Sequence, residues 1–456
     1  MASLIIGNSR TRDMVGEMAS LTPGEREYAG YSALRVLWFA KAGDVVVLPW
    51  LPRMEYLAYV VGHTRTDIDS LAILAPPPGI DGEGLLTRDR MADTGFRERL
   101  RMIVRERRVD DVLAVYTDAA VVELVDAVDL AGALPGRPFA AARGVSLINS
   151  KAVFRALAAG AGIAVAPGHV VTEPDEAVRA VGELLADGHS AMLKKEFQGG
   201  GLGNEIVSAT GGVRPTGANR VVVLSDDTAI ANYVAQRWGW LTVGGRDRLV
   251  VERYLPGCDT VYAEYLLRDE GPRLTGTGQI LMEPVAAGEI VPAPALTEAA
   301  HTELVNEGER LGQCVHSMGY RGYLSTDAIL TPTGDIVFTE TNGRMSGSTH
   351  LHSVVRERLL TAAQRPHRVL LERNGGWTVP SFAAADQWLT RNDLGFDPVT
   401  GSGVLLTSDY LPDGTVTPCI VAPDLTAATA VASRLVSASR STDMTRTASR
   451  VSGSAL

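Results

Sequence analysis

From Gly322 to Arg344 the chain reads Gly-Tyr-Leu-Ser-Thr-Asp-Ala-Ile-Leu-Thr-Pro-Thr-Gly-Asp-Ile-Val-Phe-Thr-Glu-Thr-Asn-Gly-Arg, two β-branched, apolar-rich runs on either side of Thr333-Gly334. That composition predicts an antiparallel hairpin with a tight turn. With two central turn residues, Asp327 faces Glu340 and Ser325 faces Asn342. Strand side chains alternate with a period of two, so Asp327, Glu340 and Asn342 then share one face. A three-residue turn would send Asp327 to the other face. Two carboxylates and an amide oxygen are hard oxygen ligands, suited to magnesium ions that bridge a nucleotide's phosphates. The competing reading is a half-exposed hairpin carrying ordinary surface acids.

Lysine is scarce. Of 43 basic residues only Lys41, Lys151, Lys194 and Lys195 are lysines. Arginine supplies the generic surface charge, so each lysine marks a place where a compact, mobile ammonium is wanted. Lys194 and Lys195 lie in a short strand, Ala191–Phe197, and must point to opposite sides; one is expected inside and the other solvated. Directly after come Gly199, Gly200, Gly201 and Gly203, four glycines in five positions. Such a run lets backbone N–H groups approach phosphate oxygens closely; its plain alternative is a flexible surface loop. No Walker-type glycine loop, Gly-x-Gly-x-x-Gly run after a strand, or kinase His-Arg-Asp loop is present. Any phosphate site must be built differently.

At 456 residues the chain is long enough for two or three domains. A formal charge of −10, with no basic stripe, argues against nucleic acid as a partner. Cys258, Cys314 and Cys419 are widely spread, which fits a reducing cytosol and gives no zinc pattern. Apolar runs are too short for a signal peptide or a membrane span. A cytoplasmic protein without membrane partners is expected.

Residues 1–145 alternate short strands (4–6, 44–48, 71–74, 112–116) with helical stretches (53–63, 93–108), the pattern of an open, largely parallel α/β sheet. Asn149 or Ser150 caps a helix starting at Lys151 that stops at Gly160 or Gly162. A strand at 169–172, a helix at 173–187 and the lysine strand complete a small α+β unit. Arg248–Leu255 reads as a strand running into Pro256-Gly257. Strands at 261–268 and 274–282 and a helix across 297–318 follow. A break near Asn374-Gly375-Gly376 leaves a C-terminal α+β segment with strands at 402–407 and 415–421, a helix at 425–437 and a Ser/Thr/Arg-rich end. The division is 1–145, 146–375 and 376–456.

In this order the parts resemble ATP-grasp carboxylate–amine ligases over roughly residues 146–350. The resemblance implies ATP and Mg2+ as cofactors, an α/β pre-ATP-grasp domain, the ATP-grasp fold and a small extra α+β domain. By position, Lys151 and Lys194 are similar to the family's phosphate-binding lysines, and Gly199, Gly200, Gly201 and Gly203 to its glycine-rich lid. Glu252-Arg-Tyr254-Leu255 resembles the hinge that reads adenine, and Asp259 the acid that takes the ribose hydroxyls. Asp327, Glu340 and Asn342 match the metal ligands, and Arg344 the arginine of Asn-x-Arg. Two departures stand out: Ser325, where the family often has arginine, and Gly343, where proline is common. Arg321 and Arg344 are the candidates to supply the missing charge.

The N-terminal domain, the loop from Glu340 through Met345-Ser-Gly-Ser348-Thr349 to His350 and the C-terminal domain resemble pheganomycin-type peptide ligases of antibiotic biosynthesis. That implies a peptide ligase that activates a small, amino-acid-like carboxylate as an acyl phosphate and joins it to a peptide amine. Lys194, Arg344 and Ser348 would be catalytic, and a homodimer is compatible with this reading. No general base is evident; His350 and His352 are as readily structural as catalytic. Rival readings are a dipeptide ligase, a phosphoryl-transfer kinase and a non-catalytic ATP-binding protein.

Overall fold

A computed structural model of the protein describes residues 2–11, 14, 18 and 21–439; the Ser/Thr/Arg-rich end falls outside them. The first sheet is four-stranded and parallel, in the order β3-β2-β1-β4, with β1 Ala2–Ile6, β2 Val45–Val47, β3 Ala72–Leu74 and β4 Val109–Ala114. Leu4, Ile6 and Val45 through Val47 are fully buried, as expected where helices cover both faces. Strand β4 begins three residues before the expected 112. As an edge strand it leaves Asp110 exposed, so an acid there stays solvated. Helices cover the sheet at Pro23–Ala33, Met54–Thr64, Thr94–Glu106 and Ala119–Ala127.

Ser150 accepts from the Val153 amide and caps the helix Lys151–Gly160, as its sequence predicts. Beyond it a five-stranded sheet runs β5-β9-β6-β7-β8, with β5 Gly168–Val171, β6 Ala191–Lys195, β7 Asn204–Ser208, β8 Arg220–Val223 and β9 Leu249–Arg253. The helices Pro174–Ala186 and Asp227–Leu241 bury Val181, Ile230 and Val234 against it.

The largest sheet has eight strands. Five of them are β10 Asp259–Arg268, β11 Gly271–Met282, β12 Ala286–Val291, β13 Gly322–Leu330 and β14 Ile336–Asn342, in the order β14-β13-β10-β11-β12. β15 Val369–Arg373 then pairs with β12 on one side and with β19 Pro418–Ala422 on the other, and β17 Gly403–Leu406 closes the edge. A two-stranded ribbon of β16 Trp377–Thr378 and β18 Thr415–Val416 lies apart. The expected strand 415–421 is thus broken at Thr417, whose carbonyl accepts from the Thr407 amide. The C-terminal residues also share a core with the first domain: Trp38 and Tyr56 pack with Trp377, Phe382 and Ile420. Tyr56 donates to the Thr407 carbonyl at 3.0 Å.

The hairpin β13–β14 departs from expectation in an instructive way. Its turn is a three-residue one: Leu330 pairs with Ile336, and the Thr331 amide donates to the Asp335 carbonyl. Alone, that register would put Glu340 and Asp327 on opposite faces. A bulge at Thr339 compensates, so that Asp327 faces Glu340 and Ser325 faces Asn342. The Thr339 hydroxyl donates to the Asp327 carbonyl at 3.1 Å and fixes the bulge.

At the β12–β15 junction, a Cβ on Gly288 would lie 2.1 Å from the Glu372 carbonyl oxygen. Gly288→Val is therefore expected to cost at least about 2 kcal/mol by overpacking. Denaturant unfolding would show one lowered midpoint if the C-terminal strands are integral to the sheet, and a separate early transition if they are not.

Candidate functional site

Between the five-stranded and eight-stranded sheets lies a cleft of about 110 Å3, lined by Lys151, Lys194, Glu252, Tyr254, Leu255, Asp327 and Glu340. Apolar walls come from Met192, Ile280, Met282 and Ile329. Lys194 on β6 and Glu252 on β9 are diagonal neighbours on adjacent strands, because Lys194 pairs with Val250. Their side chains meet at 2.5 Å, and Arg155 reaches the other Glu252 oxygen at 2.7 Å. Glu252 thus already holds two cations, with lone pairs to spare for a third donor.

Lys195 corrects the expectation of a solvated neighbour. It is buried on the opposite face, its ammonium 4.8 Å from the centre of the Trp240 ring. The two lysines do take opposite faces of β6, but the second face is covered by the helix Asp227–Leu241.

Asp327, Glu340 and Asn342 converge. Asp327 accepts from Ser325 at 2.6 Å and from the Asn342 amide at 2.9 Å. Lys151 binds Glu340 at 2.6 Å and the Gln198 carbonyl at 2.5 Å. Arg344 donates to the Asn149 amide oxygen at 2.9 Å and to that of Asn342. Arg321 instead pairs with Asp269 and caps the carbonyls of His316 and Tyr320, so Arg344 is the arginine at this site. Gly343 packs against Ile148, where a Cβ would come within 2.8 Å of the side chain.

The two carboxylates are driven apart electrostatically. Burial and the Glu340 charge push Asp327 up to about 7. Burial would raise Glu340 too, but Lys151, then Lys194 and Arg344, hold it below its ordinary value. Among the described residues no three His, Cys, Asp or Glu side chains cluster as a metal site. The donor set here is two carboxylates and an amide, all hard oxygens, and the raised Asp327 is a buried charge left without a full counter-charge. Both features fit a divalent cation.

The glycine loop lies closed over this point. The Ala286 amide donates to the Gly200 carbonyl at 2.9 Å, and a Cβ on Gly199 would sit 3.0 Å from the Arg344 guanidinium. Gly200 and Gly201 line the cleft, and Gly203 packs beneath the loop against Gln198. At about 110 Å3 the cleft is narrow, with the glycine loop forming part of its wall. Asp259 sits at the exposed rim and accepts from Gln279 at 3.0 Å.

A second chamber of about 490 Å3 adjoins the cleft and shares Asp327, Glu340 and Gly200 with it. Its walls include Arg344, the Ser346–Thr349 loop and, from the first domain, Tyr28 and Arg35. Beneath the loop, Ser346, Ser348 and Thr349 all donate to one oxygen of the buried Glu264, at 2.5, 2.9 and 2.8 Å. The Ser348 hydroxyl is therefore engaged below the loop. His350 is bound to Glu372 at 2.8 Å and His352 lies 3.0 Å from the Tyr262 hydroxyl; both are buried. Sequence reasoning missed Arg155, Glu264 and Glu289. Glu289 had a signal, as the one acid in the otherwise apolar strand β12.

A family model described as the Pre ATP-grasp domain matches residues 33–130, and one described as the PGM1 C-terminal domain matches residues 384–435. No curated protein matches in sequence. The chain is similar in structure to the biotin carboxylase–βγ-ATP complex of Campylobacter jejuni (TM-score 0.58, 15% identity, 94% of this chain and 89% of that one). It also resembles the biotin carboxylase domain dimer of Hydrogenobacter thermophilus 2-oxoglutarate carboxylase, solved with MgADP, ADP and bicarbonate (0.52, 14%, 92% and 86%). A third likeness is N5-carboxyaminoimidazole synthase of Aspergillus clavatus with ADP and 5-aminoimidazole ribonucleotide (0.53, 12%, 96% and 99%). The fold is ATP-grasp, preceded by a pre-ATP-grasp domain and followed by a small C-terminal one. No helix among the described residues is long and apolar enough to cross a membrane.

The raised Asp327 carries a pH signature. Its carboxyl ionises near 4 in the unfolded chain and near 7 in the fold. Between those values the native state holds a proton that the unfolded chain has released, so its contribution to stability falls as pH rises through that window. In metal-free, nucleotide-free buffer, Asp327→Asn should melt above the parent protein at pH 8, with the gap closing toward pH 4. A constant gap would mean that Asp327 ionises normally.

Proposed function

We propose that this protein is an ATP- and Mg2+-dependent carboxylate–amine ligase that joins a small amino-acid-like acid to the N-terminal amine of a peptide. The observation that carries the reading is the meeting of two chambers at Asp327 and Glu340. One is a narrow, partly apolar cleft lined with lysines; the other is a larger polar chamber walled by Arg344 and the Ser346–Thr349 loop. That layout suits the transfer of a phosphoryl group from a nucleotide in the first to a carboxylate in the second. ATP-related nucleotides in structurally similar proteins support it.

In this reading adenine lies along the Glu252–Leu255 hinge and ribose near Asp259. Lys151, Lys194 and the amides of Gly199 through Gly203 neutralise and position the phosphates. Asp327, Glu340 and Asn342 would hold Mg2+, which supplies charge neutralisation at the transferring phosphoryl group. The acid's carboxylate oxygen attacks the γ-phosphorus, and ADP departs with the bonding pair. Arg344 holds the acyl phosphate beside the Ser346–Thr349 loop, while Ser348, its hydroxyl on Glu264, fixes that loop's shape. The amine nitrogen then bonds to the acyl carbon and the C–O bond to phosphate breaks. Peptide acceptors are favoured over single amino acids because the 490 Å3 chamber is several times the volume of the cleft and extends to the first domain. An antibiotic-biosynthetic role, a homodimer and cytoplasmic residence belong to the same proposal.

Purified protein with MgATP, the twenty common amino acids, phenylglycine-type acids and short peptides should release ADP and phosphate together with an amide seen by mass spectrometry. A stable phosphorylated product would mark a kinase instead, and no acid-dependent ADP would overturn the ligase reading. Glu340→Gln should lower turnover about 100-fold or more, because it removes charge that neutralises phosphate. Lys194→Ala should weaken ATP binding strongly while Lys195→Ala, on the opposite face of β6 beside Trp240, keeps it.

Water must be kept from an acyl phosphate, so the acid should sit deep and be strictly selected, whereas the peptide need present only its amine. Competition assays varying each substrate independently should show tighter discrimination among acids than among peptides. Equal or reversed stringency would mean that the two pockets are exchanged.

A further inference from the structure

We infer that Glu289 is the general base that accepts the proton of the incoming ammonium, held in place by Tyr262; this rests on the ligase reading above. Glu289 projects from β12 into the wall of the 490 Å3 chamber. Its position along the loop that would hold the acyl phosphate is fixed by contact: a Cβ on Gly347 would stand 2.6 Å from Glu289 Oε1. No larger residue at 347 leaves room for that oxygen. The other oxygen, Oε2, accepts from the Tyr262 hydroxyl at 3.0 Å, which in turn is 3.0 Å from His352 Nε2. One oxygen is thus anchored and the other lies beside the loop.

The other acids nearby are committed. Glu264 accepts three hydroxyls of the loop from below, and Glu372 binds His350 and Thr407. Asp327 and Glu340 are the proposed metal ligands. The histidines make poor bases here. Burial lowers His352 to about 3, and burial together with the Arg35 charge lowers His350 despite its carboxylate partner. A further base is needed because an amine arrives at neutral pH as an ammonium without a lone pair.

The proton balance is simple. Glu289 carboxylate takes one proton from R–NH3+, leaving R–NH2, whose lone pair forms the C–N bond. The C–O bond to phosphate then breaks, phosphate departs with that electron pair, and the second nitrogen proton leaves with it or to water. Glu289 returns its proton to solvent. The groups facing Glu289 are Tyr262 and Glu264 from β10, Glu372 from β15 and Arg35 from the first domain. Burial, then Glu372 and Glu264, outweigh Tyr262 and Arg35 and push it up to about 8, a value matched to a base working near neutral pH.

The test separates the two half-reactions in the full-length protein with MgATP and the acid found active above. Hydroxylamine, a neutral nucleophile that needs no base, traps the acyl phosphate as a hydroxamate. A trialanine peptide, an ammonium at neutral pH, reports the base-dependent step. Glu289→Gln should keep hydroxamate formation within about threefold and lower amide formation about 100-fold, and its pH profile should lose the rise toward pH 8. Glu289→Asp should recover part of that loss. Tyr262→Phe removes a donor that favours the charged carboxylate, so its rise should move to higher pH with the carboxylate still at work. Amide formation within threefold of the parent, or equal loss of both products, would overturn the assignment. Absence of hydroxamate from the parent protein with every acid would overturn the ligase reading itself, a result distinct from either.

Discussion

The site depends on one electrostatic arrangement: two buried carboxylates on one face of a hairpin, confronted by cations from elements far apart in sequence. Lys151 comes from the start of a helix, Lys194 from the five-stranded sheet and Arg344 from the loop after β14. Glu252 keeps Lys194 and Arg155 in place from the other side. The cations offset only part of the cost of burying Asp327 and Glu340 together, which is why the Asp327 carboxyl is raised. A stable fold would remove that strain with one substitution. Its retention makes sense where a guest completes the charge balance.

The glycine loop and the loop after β14 are coupled to this arrangement from opposite directions. Gly199 approaches the Arg344 guanidinium closely, and Lys151 holds the Gln198 carbonyl, so the lid rests on groups that also serve the carboxylates. The Ser346–Thr349 loop is drawn down by three hydroxyls onto Glu264. Charges on one side and hydroxyls on the other shape a chamber whose remaining acid, Glu289, lines its wall.

The C-terminal residues serve the site indirectly. β15 and β19 extend the sheet that carries the hairpin, and their core is shared with Trp38 and Tyr56 of the first domain. Arg35 contributes to the chamber while lying 3.9 Å from Glu372 on β15. The last part of the chain therefore packs behind the first-domain residues that line the chamber.

The sequence by itself determined the local elements and the residue types of the site. Period-two patterning and glycine and serine boundaries placed most strands and the helix capped by Ser150 within a few residues, because those signals are local. The scarcity of lysine marked Lys41, Lys151, Lys194 and Lys195 alike, and the resemblance in order of parts narrowed these to Lys151 and Lys194. Tertiary structure decided what depends on meeting across the chain. The three-residue turn alone would have separated Asp327 from Glu340, and only the bulge at Thr339, invisible in composition, restored their shared face. Lys195 read as solvated because nothing local reveals that Trp240 covers it. Arg155 carried too little pattern to be chosen, and Glu289 stood out only as the one acid of an apolar strand, since a side chain's partners are set by the packing of sheets rather than by its neighbours in sequence.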